Sequence, residues 1–407
     1  MGQELDIKQF FRRAPHLSLS RYFSERGHLA DFNWPSLTTK KGINDLQERW
    51  LAINADERGQ ILGDFSEINL LATPTGKTQV LDEAEFHENT EEIRKGLATL
   101  PGFYDCAFWV FFEHRKCWDG AVFYAMADGK SKRYWRKRIN MPLLGRLPTD
   151  ADGEALAAAV AEVFRKHESR GDNCVVHQFR RGAKGDREYY FAYPQDHNQT
   201  AIEYDKGEMT KRPHNPAFEV IFIHDDTQRT LSIWHEGVMD RIKDLQAAFA
   251  TAVLGTTIPR ESPRDNRVYD LQRLLDPTFV FKSMPELRIA SVEVRKMTVR
   301  IIGPTTHKIS VELADDCPGY VLIDRINAAT QRIPKTLIKV ARIGIRATFE
   351  IEQNEKHARR RSFEVSWPNS CSLANDSYGT LLQRMLVEHS IEPRSPLSEA
   401  NHGVDVD

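Results

Sequence analysis

The chain reads as an α+β protein with a helical N-terminal head, an antiparallel β-sheet module with flanking helices, and a C-terminal ββα-ββα module. Three observations predict this. Apolar residues recur at helical spacing through the first roughly 60 residues. From about Tyr104, aromatic and β-branched runs alternate with glycine-containing turns. Near the C-terminus the order strand, strand, helix occurs twice, with a unit of roughly 45 residues.

In the head, Ile7, Phe10 and Phe11 begin an apolar stripe that Pro15 ends, because proline lacks the backbone donor and its ring clashes with the preceding turn. Leu17, Leu19, Tyr22 and Phe23 make a second short helix, stopped near Gly27, and residues 47–53 and 57–68 continue in the same style. Residues 106–112, 120–127 and 134–139 then read as strands, since Asp119-Gly120 and Asp128-Gly129 suit hairpin turns. A helix follows, with Asp150 or Asp152 as its cap, Leu156, Val160, Val163 and Phe164 on one face, and Gly171 closing it. Strands are expected at 174–179, 188–193, 200–204, 218–224 and 230–234, then a helix over 238–254. The stretch 256–266, with two prolines and several charges, is the linker candidate. Beyond it the pattern gives a short helix at 269–275, strands at 291–302 and 308–313, a helix at 320–330, strands at 337–352 and 362–367, and a helix at 377–389. The expected organisation is a head over 1–100, an antiparallel α+β module over 101–256, a ββα-ββα module over 267–393 and a flexible tail over 394–407. Two ββα units can pair into one sheet with both helices on one face, a plan shared with saddle-shaped DNA binders, although a plan alone assigns no function.

Composition narrows the function classes. Over 407 residues, 56 Lys and Arg balance 58 Asp and Glu, which gives a net charge of −2. Hydrophobic residues make up 41 %, so the low hydrophobicity and high net charge of a disordered chain are both missing. Mean hydropathy is −0.51, no apolar run approaches about 18 residues, and no membrane partner is expected. The start, Met1-Gly2-Gln3-Glu4-Leu5-Asp6, has no basic region followed by an apolar one, so a cytoplasmic protein is expected. Cys106, Cys117, Cys174, Cys317 and Cys371 form no C-x-x-C pair, which argues against a zinc ribbon or a disulfide framework.

The overall charge balance hides an uneven distribution. In Lys130, Lys132, Arg133, Tyr134, Trp135, Arg136, Lys137 and Arg138, cations surround two aromatics, and no acid occurs from Lys130 through Arg146. Cations neutralise phosphates and exposed aromatics stack on bases. Strand alternation puts Lys132, Tyr134, Arg136 and Arg138 on one face and Arg133, Trp135 and Lys137 on the other. The bland reading is an edge strand protected by charge. Two more basic turns stand out, one with Arg180, Arg181 and Lys184, the other with Arg359, Arg360 and Arg361.

Other motifs fall short. Thr73-Pro74-Thr75-Gly76-Lys77-Thr78 lacks the first glycine of a phosphate loop, where Leu71 stands, and reads as a proline-glycine turn. His224-Asp225-Asp226 and Asp315-Asp316-Cys317 have no second ligand pair, so no metal site and no cofactor are expected. Glu293 and Lys296 have one residue too many between them for a nuclease pair. The expectation is a non-catalytic nucleic-acid-binding protein, as a subunit of a DNA-processing or defence assembly, that contacts phosphates through these patches. The alternatives are a metal-dependent nuclease with a site of scattered carboxylates, and a scaffold for protein partners. Sequence decides neither the nucleic-acid type nor whether the chain is an enzyme.

Overall fold

The computed structural model describes residues 5–181, 187–205, 208–265, 267–303, 305–351, 358–373 and 376–392. The protein is α+β, and it forms two compact units, Met1–Pro263 and Arg264–Asp407.

The first unit begins with helices α1 (Ile7–Arg13), α2 (His16–Glu25), α3 (Lys40–Ala52), α4 (Ala55–Leu71), α5 (Pro74–Ala84), α6 (Thr90–Thr99), α7 (Phe103–Glu113) and α8 (Arg115–Asp128). Short polar side chains start several of them by accepting orphan backbone donors: Asp6 from Gln9, Thr39 from Gly42 and Thr73 from Gly76. The Gly76-Lys77-Thr78 motif is therefore the capped first turn of α5, with Pro74 at its first position, and not a free turn. A Cβ at Gly76 would lie 2.1 Å from the Leu71 carbonyl oxygen, so only glycine fits. Phe10, Phe11, Tyr22, Phe23, Trp50 and Phe65 pack the centre of this head.

Residues 106–112 and 120–127 are helical and not extended. In α7 the fully buried residues are Cys106, Ala107, Val110 and Phe111, with Phe108 between them, and Trp109 and Phe112 are half-buried. An aromatic run buried nearly all round has no period to read, so its β propensity misleads. In α8, Asp119-Gly120 is not a turn. Gly120 is mid-helix because the Glu83 carboxyl occupies the space of a Cβ, with Cδ 2.3 Å away.

Strands β1 (Trp135–Arg138), β2 (Cys174–Arg181), β3 (Arg187–Pro194), β4 (Gln199–Asp205), β5 (Glu208–His214), β6 (Val220–Asp225) and β7 (Thr230–Trp234) follow, with α9 (Asp150–Glu168) before β2 and α10 (Met239–Ala252) after β7. Five form an antiparallel sheet in the order β1-β7-β6-β3-β2, and β4 and β5 pair as a separate hairpin. Both faces are covered. Tyr190, Ala192, Phe222 and Ile233 pack on Leu156, Val160, Phe164, Leu245 and Phe249 of α9 and α10. Tyr189, Phe191, Ile221 and Ile223 pack on the side of Tyr124 and Ala127 of α8. This two-sided burial explains why β3 and β6 read as continuous apolar runs. Thr149 caps α9, with Asp152 reaching back from the third position, where the sequence suggested Asp150 or Asp152 as the cap itself.

The second unit runs β8 (Ile289–Ile301), β9 (His307–Glu312), α11 (Val321–Thr330), β10 (Ile338–Phe349), β11 (Arg360–Ser366), β12 (Ser370–Cys371) and α12 (Ser377–Glu388). The sheet order is β12-β11-β10-β8-β9, so the long antiparallel β8–β10 pair joins the two ββα units at the centre. Leu322 and Ile326 of α11 and Leu382, Met385 and Leu386 of α12 share one core with Met297, Val299, Ile343, Ile345 and Val365 of the sheet. Both helices therefore pack on the same side. The outward positions of the same strands are exposed or half-buried.

Candidate nucleic-acid interface

The outer side of the C-terminal sheet follows from simple alternation. Along β8, Met297, Val299 and Ile301 point into the core, so Lys296, Thr298 and Arg300 point away from it. A register shift leaves Arg295 unpaired between Val294 and Lys296, and its buried guanidinium donates to the carbonyls of Ala314 and Cys317, which fixes the turn after β9. Arg300 stands directly opposite Lys308 of β9 on one side and Lys339 of β10 on the other. Three cations from three adjacent strands thus form one row, with Lys308 and Lys339 exposed and Arg300 half-buried. Among the described residues, none of their side chains has an ion-pair or hydrogen-bond partner.

Three further cations of this face, Lys296, Arg342 and Arg346, are neutralised. The Lys296 ammonium lies 3.2 Å from Glu312 and 3.4 Å from Glu364, and the hydrogen bond to Glu312 holds it above the usual lysine range. Arg342 faces Glu364 at 3.6 Å and donates to the Ser366 hydroxyl at 3.0 Å. Arg346 pairs with Asp315 and holds that carboxyl below its ordinary range. The hydroxyls of Thr298 and Ser310 meet at 2.9 Å beside the row. Like charges directly opposite each other destabilise a sheet, and among the described residues no acidic side chain pairs with the Lys308–Arg300–Lys339 row. Exposed Arg332 and Lys335 shortly precede β10 in the chain and add to the positive potential there.

The cations singled out from sequence have diverse placements. Lys130 pairs with Glu219 and lies 4.5 Å from the centre of the Trp234 ring. Lys132 and Arg133 are exposed on a short turn before β1, which is the edge strand of its sheet. Tyr134 and Trp135 are half-buried against the sheet core, with the Tyr134 ring edge-on to Trp234 at 6.4 Å. Arg136 donates to the carbonyls of Arg133 and Trp135 and to the Met239 sulfur, and Lys137 to the Gln228 Oε1 at 3.1 Å. Arg138 is 2 % exposed and donates to the Gln246 Oε1 and to the carbonyls of Pro259 and Glu261. Arg181 is fully buried between Asp82 and Asp128. This burial leaves neither of those two guanidiniums open to a phosphate. Arg359 and Arg361 lie over the Tyr378 ring at 4.9 and 5.5 Å, and Arg361 also pairs with Asp376 at 3.2 Å. Arg360, opposite Thr348, shares the outer face with the row. Lys184 lies outside the described residues.

No protein-family model, curated protein or solved structure matches this chain. Function rests here on the site itself. Pattern reading missed the row because strand alternation dilutes it. Lys296-Met297-Thr298-Val299-Arg300-Ile301 contains just two cations in six residues, and Lys308 and Lys339 lie on other strands. The available signal was the period-2 alternation of long polar and apolar residues in a strand next to its hairpin partner.

Among the described residues, no three His, Cys, Asp or Glu side chains converge as a metal centre requires, and no helix is long and apolar enough to cross a membrane. Glu293 faces Arg295 at 3.5 Å and His224 faces Asp226 at 3.5 Å. Burial pushes the thiols of Cys106 and Cys117 up, and that of Cys174 up to about 12, so none of the three is a ready thiolate.

Arg180 pairs with Glu188 at 2.9 Å. Burial raises the Glu188 carboxyl from 4.5 to about 7, against the opposing pull of Arg180. Between those values the folded chain holds a proton that the unfolded chain has lost, so stability falls as pH rises through this window. Above it, the cost of a buried carboxylate remains. Comparing Glu188→Gln with the parent by urea unfolding should show the variant gaining about 3 kcal/mol relative to the parent between pH 5 and pH 8. A pH-independent difference would mean that Glu188 titrates normally.

Proposed function

We propose that the chain is a non-catalytic nucleic-acid-binding protein that takes phosphates on local basic patches, chiefly the Lys308–Arg300–Lys339 row. The observation that carries this reading is the row itself: three cations aligned across three strands, without a partner among the described residues, on the side of the sheet away from α11 and α12. Such an arrangement costs stability in the isolated chain and becomes favourable only when an anion with several charges lies across it. A phosphate backbone has that repeat. Thr298, Ser310 and Ser362 on the same face add hydroxyl donors of the kind that position phosphates. Lys132, Arg133 and Lys137 at the edge strand of the first unit form a second patch. A cytoplasmic setting fits the five free cysteines.

The test is the triple charge reversal Lys308→Glu, Arg300→Glu, Lys339→Glu, read by fluorescence anisotropy on mixed-sequence labelled oligonucleotides. Affinity should fall more than tenfold; because three Glu in register repel as three cations do, the thermal midpoint is read on Lys308→Gln, Arg300→Gln, Lys339→Gln, where it should stay level or rise. Lys132→Glu, Arg133→Glu, Lys137→Glu in parallel should have the smaller effect. Parent protein with no affinity for any nucleic acid at 50 mM salt would sink the proposal.

A further inference from the structure

Building on that nucleic-acid reading, we infer that the ligand of the C-terminal sheet is a double helix, gripped by its two phosphate ridges and not by its bases. Two features of the face favour a duplex over a single strand. The first is what the strands lack. Proteins that hold single strands use aromatic platforms on which bases stack. Strands β8 to β11 contain no Tyr or Trp, and their two phenylalanines, Phe349 and Phe363, are 3 % and 5 % exposed and turned into the core. They also contain no Asn or Gln, the side chains that read adenine bidentately. Within these strands the outer side therefore offers cations and hydroxyls for a backbone and no exposed ring for stacking.

The second feature is the spacing of the row. Neighbouring strands lie about 4.8 Å apart, so Lys308 and Lys339 stand roughly 10 Å apart on either side of Arg300. That span falls between the width of a duplex minor groove, about 6 Å, and that of a major groove, about 12 Å. Two flexible lysines at this separation can hold the phosphates on opposite ridges of one groove, while the half-buried central arginine adds positive charge between them. A single strand can also lay successive phosphates along the row, but its bases then meet no aromatic platform on these strands. Toward the other end of the face Lys296, Arg342 and Arg346 are already paired, which centres the grip on this row. The contact is correspondingly small, weakly selective for sequence and strongly dependent on salt.

The experiment titrates the full chain with four labelled 20-nucleotide probes of one mixed sequence, duplex DNA, duplex RNA, single-stranded DNA and single-stranded RNA, at 50 to 200 mM salt. A duplex should bind at least tenfold more tightly than either single strand. Two phosphates at about −0.9 each give a log–log salt slope near −1.8, which is an affinity loss of about 12-fold across that range. Lys308→Gln, Arg300→Gln, Lys339→Gln should remove most of that slope without lowering the thermal midpoint. The two duplex probes distinguish a B-form from an A-form partner, and an exchange of all A·T pairs for G·C should change affinity less than threefold. Single strands bound as well as duplexes would overturn this inference and leave the nucleic-acid reading intact. Duplex binding that keeps its slope in the triple variant would move the contact off this face. A parent protein that binds no probe would remove both readings.

Discussion

Replacing Arg181 with Ala is expected to destabilise the first unit by about 3–5 kcal/mol, the usual cost of leaving buried charge without its partner. Arg181 closes β2 and is fully buried. Its Nε donates to Asp82 of α5 at 2.8 Å and its Nη1 to Asp128 at the end of α8 at 2.9 Å. The guanidinium also lies 4.8 Å from the centre of the Tyr124 ring. Burial by itself lowers its pKa, but attraction to Asp128 and Asp82 outweighs that and holds it above the ordinary arginine range. One side chain thus ties the first sheet to two helices of the head. Alanine leaves two carboxylates, 6 % and 18 % exposed, facing each other. Lysine should recover only part of the loss, since a single ammonium cannot span both acids in the geometry of the planar fork. Arg181→Met combined with Asp82→Asn and Asp128→Asn should recover more than half, because removing all the charge is cheaper than removing one sign. Urea unfolding of the four proteins checks this, and a single Ala variant within 1 kcal/mol of the parent would show that the charges rearrange into solvent.

Phe65→Ala should cost a similar 3–5 kcal/mol by a different route, lost transfer energy plus the cavity left behind. Phe65 is fully buried on α4. Its ring centre lies 4.5 Å from Phe10, 4.7 Å from Tyr22, 5.8 Å from Phe23, and 6.3 Å from both Phe11 and Trp50. These partners come from α1, α2 and α3, so the ring joins four helices. The site resists collapse because Tyr22 is also held by its hydroxyl on Asp64 at 2.6 Å. Leucine keeps part of the volume and should lose less than half as much. Chemical denaturation of both variants gives the comparison, and equal losses for Ala and Leu would point to ring geometry, not volume, as the source.

The legible parts of the fold were those with a clear period and a clear stop. Pro15 and Gly27 bracket α2, and Gly171 and Gly255, both with positive φ, follow α9 and α10. The ββα-ββα order was readable because β8 to β11 alternate cleanly over one buried side. The region 104–128 was not, because it is an aromatic helix followed by one whose Gly120 and Asp119 imitate a hairpin. There the deciding fact is tertiary, the approach of Glu83 to Gly120, and no local pattern carries it. The hairpin strand β5 was missed because its seven residues, Glu208–His214, are almost all polar and exposed. For the site, sequence found where cations cluster along the chain, whereas the sheet determines which cations meet across strands. Arg181 and Arg138 looked like surface charge within basic runs and are interior ties, and Arg300 looked like one polar residue among many and heads a row.

The central β8–β10 pair also bears on how the chain is made. Neither ββα half owns a complete sheet, because the longest pairing in the second unit runs between them. During synthesis β8 emerges with only the short β9 beside it, and its other edge stays open until β10 follows roughly 50 residues later, about 2–10 s at ordinary elongation rates. An open strand edge is a template for pairing with another chain. Lys296 and Arg300 stand on β8, so a second nascent copy paired antiparallel about Thr298 would set Lys296 of each chain against Arg300 of the other, which disfavours that register. The charge proposed to hold a phosphate backbone in the finished protein would thus also discourage that pairing between unfinished chains on neighbouring ribosomes.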